Sequence, residues 1–322
     1  MTNSSQLINT QTNHTKNVLL IVGPTAVGKT YLSLKLAEKL TGEIVSADSR
    51  QIYKFMDIGT AKPTLEERQQ ASHHFIDIKF PDEYYSAGMY GKEARVVIDQ
   101  ILTAGNLPLV VGGSGLYIRA LIDGFFDAEI SDLQIKQKLQ MRVEEEGLNV
   151  LYKYLTRVDP VLANRINPND TQRIIRALEV WEVSGVPLSR FQQSTGKKTN
   201  FNPLFLGLTM DRQRLYQKIE SRVDNMIKQG LLEEVSRLAD MGYSDELISL
   251  QSVGYQEVFE YFKGNLSYVK MVELIKQKSR NYAKRQLTWF RKDKRVNWFN
   301  IERLENLNEI VNKIETFKII SS

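Results

Sequence analysis

The chain contains no cysteine, only three histidines (His14, His73 and His74) and only eight prolines among its 322 residues. The first absence excludes disulfides, thiolate zinc sites and a cysteine nucleophile. The scarcity of histidine leaves little for a histidine-rich metal centre. No apolar run approaches the roughly 20 residues that a bilayer-crossing helix needs, so contact with a membrane is not expected. Charge of neither sign dominates: Lys plus Arg number 43 against 38 for Asp plus Glu, an excess that suits a polyanionic partner without demanding one. The first sixteen residues are rich in Asn, Thr, Ser and Gln and have no hydrophobic centre, so residues 1–16 are expected to be a disordered tail rather than a signal peptide. The cytosol is the expected compartment.

What is present begins with Gly23-Pro24-Thr25-Ala26-Val27-Gly28-Lys29-Thr30, which fits the phosphate-binding pattern G-x-x-x-x-G-K-[ST]. The apolar run Val18 to Val22 before it reads as a buried parallel strand. After it, Leu32, Leu36 and Leu40 recur every four residues, a helix stripe facing a core. A strand, a loop and a helix in that order are the context this pattern requires. Backbone N–H groups of such a loop converge on an anion at a helix N-terminus. Lys29 would neutralise phosphate oxygens and Thr30 would help hold Mg²⁺. Kinases, NTPases and some transferases share the cradle, so it fixes a ligand class only.

The stretch Glu43 to Gln51 reads as a second short strand that delivers Asp48 at its C-terminal end, where ligands bind in open α/β sheets. A cap on the next helix by Asp48 or Ser49 fits equally well, and spacing leaves both readings open. Adjacent histidines in the expected strand His73 to Ile78 point to opposite faces and cannot readily share one metal ion. Leu107 to Tyr117 reads as a deeply buried strand ending in glycines, where a motor ATPase would place an Asp; the glycines allow a ligand to approach, or simply make a tight turn. Residues 129–200 show only helical patterns, including one from Thr171 to Ser184 that carries Arg173 and Arg176 on one face. Phe205 to Met210 returns as a strand, so the helical stretch interrupts a sheet. The expected domains are therefore a core of 17–128 with 201–322, and an insertion of 129–200. Beyond Asp211 helices are expected to the end, including one from Asp245 to Phe262. Between Lys276 and Arg295 nine basic residues meet the single acid Asp293, with Tyr282, Trp289 and Phe290 interleaved. Such a segment suits a polyanion with exposed bases, although a plain helix with core aromatics explains the aromatics as well.

Taken together, GPTAVGKT at Gly23, SADSRQIY at Ser46, MDIGTAKP at Met56, HHFID at His73, VVGGSGLY at Val110, QRIIRALE at Gln172, VGYQE at Val253 and YAKRQLTWFR at Tyr282 resemble the motifs of the tRNA dimethylallyltransferases, in order, over nearly everything from Val18 to Phe299. The departures are small. Ser114 stands where the family usually has Thr, and the segment before Lys16 has no counterpart in shorter members.

The resemblance implies an α/β fold, a P-loop NTPase-like parallel sheet flanked by helices, with an all-helical insertion and a helical C-terminal region. It implies transfer of a dimethylallyl group from dimethylallyl diphosphate to N6 of the adenosine 3′ of the anticodon in tRNA, with Mg²⁺ as cofactor and a monomeric enzyme. Asp48 would be the base, and Lys29, Thr30 and an arginine after the insertion, Arg222 by position, would meet the diphosphate. Asp48, Ser49, Arg50, Gln51, Ser114, Gln172, Arg173, Ile174, Ile175 and Arg176 match the family's tRNA-contacting positions, and Lys284 and Arg285 are added from the basic segment. The rival readings are a P-loop kinase of small molecules, an adenylate prenyltransferase, and a nucleotide-gated RNA-binding protein without chemistry.

Overall fold

The computed structural model describes residues 16–124, 130, 132–193, 199, 201–302 and 305–320. The expected tail therefore lies almost wholly outside the described residues. Packing divides the chain into two units, Met1–Ile122 with Asn200–Ser322, and Asp123–Thr199.

The first unit opens with β1 (Lys16–Val22), α1 (Lys29–Leu40), β2 (Gly42–Ser46), α2 (Leu65–Gln70), β3 (His73–His74), α3 (Ala87–Thr103), β4 (Leu107–Gly112) and α4 (Gly115–Ile122). The second unit is helical: α5 (Leu133–Glu146), α6 (Leu148–Val158), α7 (Pro160–Ala163), α8 (Thr171–Ser184) and α9 (Leu188–Gln193). The chain then returns to the first unit with β5 (Phe201–Thr209), α10 (Arg212–Lys228), α11 (Leu231–Asp240), α12 (Tyr255–Phe262), α13 (Tyr268–Phe290), β6 (Val296–Asn300) and α14 (Glu305–Ile320).

Six parallel strands lie in the order β3-β2-β4-β1-β5-β6. Because all run the same way, the C-terminal ends of β1, β2, β4 and β5 share one edge, which places the phosphate loop, Asp48 and the β4 glycines together. Val18 to Val22 are almost completely buried, as a central strand covered on both faces requires. In the helical unit, Leu139, Leu151, Leu155, Ile174 and Leu178 form a separate core with no measurable exposure. Asp170 accepts the Arg173 N–H at the start of α8, and Gly185 closes its end in a left-handed conformation.

Three expectations change. The strand at His73 stops after His74, because Phe75 and Asp77 adopt positive φ (64° and 56°) and turn the chain. The helix expected from Asp245 begins only at Tyr255; the preceding residues form turns, pinned by the Ser249 hydroxyl on the Pro81 carbonyl, and the Glu257 carboxylate accepts the Gly254 N–H. The C-terminal region is not wholly helical either. Val296 and Phe299 are buried in β6, which extends the sheet beside β5. Its five residues follow a run of cations, and that run conceals a strand too short to show its own period.

Candidate active site

The phosphate loop takes its shape from three residues with positive φ: Gly23 (148°), Ala26 (63°) and Gly28 (101°). At Gly23 a Cβ would come within 2.6 Å of the Leu208 carbonyl oxygen, so the neighbouring strand leaves room for glycine alone. The Lys29 ammonium folds back over the loop and donates to the carbonyls of Gly23 (3.0 Å) and Pro24 (2.7 Å). Burial, and next to it the Arg222 charge, pulls the Lys29 pKa down to about 7, with Asp48 acting in the opposite direction. This amine carries its charge at a cost that an anion in the loop removes.

Arg222 arrives from α10. That helix buries Leu215, Ile219 and Val223 and turns Arg214, Lys218 and Arg222, four residues apart, to the cavity. Arg222 donates to the Thr25 hydroxyl (2.9 Å), and burial lowers its pKa against the opposing pull of Asp48. A cavity of about 850 Å³ joins Lys29, Thr30 and Arg222 to Asp48 and Gln51.

No helix follows Asp48 directly, so it caps a turn rather than a helix. One carboxylate oxygen accepts the Arg50 N–H (2.9 Å), closing a turn, while the residue lines the cavity. Gln51 is fixed beside it, its amide donating to the carbonyls of Thr60 (3.3 Å) and Ala61 (3.2 Å) and its oxygen accepting from Ser46 (3.3 Å). The Ser114 hydroxyl accepts the Ser49 N–H (3.1 Å), which ties the end of β4 to the loop after β2. Arg50 reaches away to donate to the Ile248 carbonyl (2.7 Å).

Sequence reasoning missed Gln286. It is 5% exposed, donates to the Gly113 carbonyl (3.1 Å) and accepts the Thr25 N–H (2.8 Å), so one phosphate-loop amide is already satisfied by protein. Its signal was the spacing Tyr282, Gln286, Trp289, one helix face directed at the β4 turn. The Tyr282 phenol on that face has its pKa pushed up, first by burial and then by the Asp48 charge. Glycine at 113 and 115 admits these side chains, since a Cβ there would collide with Gln286 and Trp289 respectively. The space left by these two glycines is filled by α13.

The basic segment also reads differently in three dimensions. Lys276 pairs with Asp224 (2.6 Å), Lys278 with Glu257 (2.5 Å), Arg280 with Glu220 (2.5 Å) and Arg295 with Asp293 (2.6 Å). The acids that balance three of these cations sit on α10 and α12, far away in sequence. Lys284 and Arg285 remain exposed, with Arg285 5.7 Å from the Tyr282 ring centroid. In the helical unit Gln172 and Arg173 are exposed, Arg173 facing Asp170 at 3.3 Å. Arg176 is tied to Glu179 (2.8 Å) and the Ile130 carbonyl (2.6 Å). Ile174 and Ile175 are core residues, 0% and 6% exposed, so their side chains are unavailable to RNA.

Comparison with known proteins identifies the family. The IPP transferase family model matches residues 51–293, and the isopentenyl transferase model matches residues 16–85. The tRNA dimethylallyltransferase of Carboxydothermus hydrogenoformans is 46% identical over 94% of this chain and 97% of its own. The chain belongs to the tRNA dimethylallyltransferase family. A second relative of that description, from Natranaerobius thermophilus, is 47% identical over 93% of this chain and 91% of its own. Among solved structures, the tRNA isopentenylpyrophosphate transferase of Bacillus halodurans superposes with a TM-score of 0.71 at 40% identity, over 95% of this chain and 98% of its own. A eukaryotic dimethylallyltransferase acting on tRNA gives 0.75 at 31% identity, over 86% of this chain and 70% of its own. The six-stranded parallel sheet is thus the fold of this family.

Proposed function

We propose that this enzyme transfers the dimethylallyl group of dimethylallyl diphosphate to N6 of the adenosine 3′ of the anticodon in tRNA, with diphosphate as leaving group. The observation that carries the reading is a single cavity holding Asp48 together with Lys29, Thr30 and Arg222, where the Asp48 charge acts on both cations. As the allylic C–O bond breaks, negative charge grows on the diphosphate and positive charge spreads over the five-carbon fragment. Lys29, Arg222 and the phosphate-loop amides of residues 26–30 answer the first charge. The new bond forms between N6 and the allylic carbon, and Asp48 takes the N6 proton. A lone pair conjugated with the purine ring makes N6 a weak nucleophile, which is why a carboxylate beside it matters. Bringing that atom to the cavity requires the base to leave its stack.

Mg²⁺ fits this site as a companion of the diphosphate. Among the described residues no three His, Cys, Asp or Glu side chains converge on a common point, and Mg²⁺ commonly keeps its waters and binds through substrate phosphates with few protein ligands. Thr30 is the residue that would hold it, and the ion would supply charge neutralisation. The RNA contacts in this reading are Ser49, Arg50, Gln51 and Ser114 near the cavity, the exposed Lys284 and Arg285 on α13, and Gln172 and Arg173 on α8. The working unit is a single chain in the cytosol. Incubation with labelled dimethylallyl diphosphate and either unmodified tRNA or AMP, with ATP as control donor, tests the assignment. Label is expected in tRNA alone; label in AMP, or phosphate transfer from ATP, would replace this reading by one of its rivals.

A further inference from the structure

The loop that carries Asp48 ends on an aromatic pair at the surface. Phe55 has φ 67°, a region in which Cβ crowds the backbone and bulky residues are outliers. Its ring does not repay that strain by filling the core, being 40% exposed. It leans on Phe80, itself 41% exposed, with ring centroids 6.0 Å apart and planes at 42°, and the Lys54 ammonium lies 4.0 Å from the Phe80 centroid. Strain that persists in a surface aromatic points to something outside the chain.

The pair is fixed to the catalytic loop. Lys54 N–H donates to the Lys79 carbonyl (2.8 Å), Lys79 N–H to the Ile52 carbonyl (3.0 Å) and Asp77 N–H to the Gln51 carbonyl (3.2 Å). The buried Lys62 ammonium donates to the Tyr53 carbonyl (2.8 Å) and bridges Asp57 and Asp77. Phe55 lies seven positions after Asp48, a reach of at most about 25 Å. Exposed rings beside a cation, rigidly joined to the loop that meets the acceptor base, suit an unpaired base next to a phosphate. An apolar protein partner would gain nothing from the ammonium over the ring.

We infer that Phe55 and Phe80, with Lys54, form a stacking platform for an unpaired base of the acceptor RNA other than the adenosine that is alkylated. The inference rests on the proposed function and adds to it a determinant of which anticodon loops are accepted. Phe55→Gly removes the ring and suits the positive φ, so its thermal midpoint is expected at or above that of the unaltered enzyme. Its kcat/KM for tRNA is expected to fall about tenfold, in line with the loss of one base stack. The single-turnover rate at saturating tRNA should stay near the parent value. Phe80→Ala should give the same pattern without the backbone change. With tRNAs carrying one abasic site at successive unpaired positions beside the adenosine, one position should cost the unaltered enzyme about tenfold and cost Phe55→Gly nothing more. Parent-level kcat/KM in both variants, or equal abasic losses in unaltered enzyme and variant, would overturn the platform while leaving the prenyl-transfer reading intact, and would leave the patch to a protein partner. Failure of the unaltered enzyme to modify tRNA would overturn the functional reading and the platform with it.

Discussion

Two glycine-rich turns leave adjacent strands of the same sheet, one after β1 and one after β4, with Val22 and Gly112 directly paired. The first surrounds a lysine whose charge is held against burial; the second has no charged residue and is plugged by Gln286 and Trp289. Glycine content alone therefore does not mark a ligand cradle. What separates the two is whether the space vacated by the missing Cβ is filled by another part of the chain. After β1 a cavity remains, lined by Lys29, Thr30 and Arg222, whereas after β4 a helix from the far end of the sequence occupies the place.

Lys29→Ala should have the largest effect. Removing the cation from the loop is expected to slow transfer by about 10³-fold and to weaken donor binding as well, measured by single-turnover kinetics and donor titration. The matching change in the second turn, Gly113→Ala, should act on stability instead. Its methyl meets Gln286, so unfolding free energy should fall by about 1–3 kcal/mol in denaturant titration, with a loss of transfer by the folded fraction far smaller than that of Lys29→Ala. Undiminished stability with lost transfer would erase the distinction between the turns.

The depressed pKa of Lys29 sharpens the comparison further. With that amine at about 7 in the free enzyme and charged when an anion is bound, donor affinity should be level below pH 7 and fall by up to about tenfold per pH unit above it. The same linkage predicts proton uptake on donor binding at pH 8, measurable by calorimetry in buffers of different ionisation enthalpy. Release of a proton would contradict it. The smallest effect belongs to the outer face of α13: Lys284→Ala with Arg285→Ala should lower the slope of log affinity for tRNA against log salt by about 2 and leave donor binding alone.

Much of this arrangement was legible in the sequence where it is local. The phosphate loop, the carboxylate at the end of β2 and the α8 caps depend on residues within a few positions of one another. The rest depends on distant partners. Nine cations against one acid looked like an RNA-binding run, yet Lys276 and Arg280 face acids on α10 more than 50 residues earlier. Arg222 carries no local signal of its site, since nothing near it in sequence shows that α10 lies over the loop; only the family resemblance pointed to it. Gln286 stayed hidden among cations for the same reason, and β6 because five residues cannot display a period. The positive φ of Phe55 likewise carries no local signal, and the residues before it are held by backbone bonds to Asp77 and Lys79.

The central claim is that the carboxylate across the cavity from the phosphate loop is the base. Asp48→Asn keeps the shape of the side chain and can still accept the Arg50 N–H, but it cannot take the N6 proton. Single-turnover transfer to tRNA, with donor and tRNA both saturating, tests this most directly. A fall of about a hundredfold or more is expected, with both affinities nearly unchanged; transfer at the parent rate would show that Asp48 is not the base.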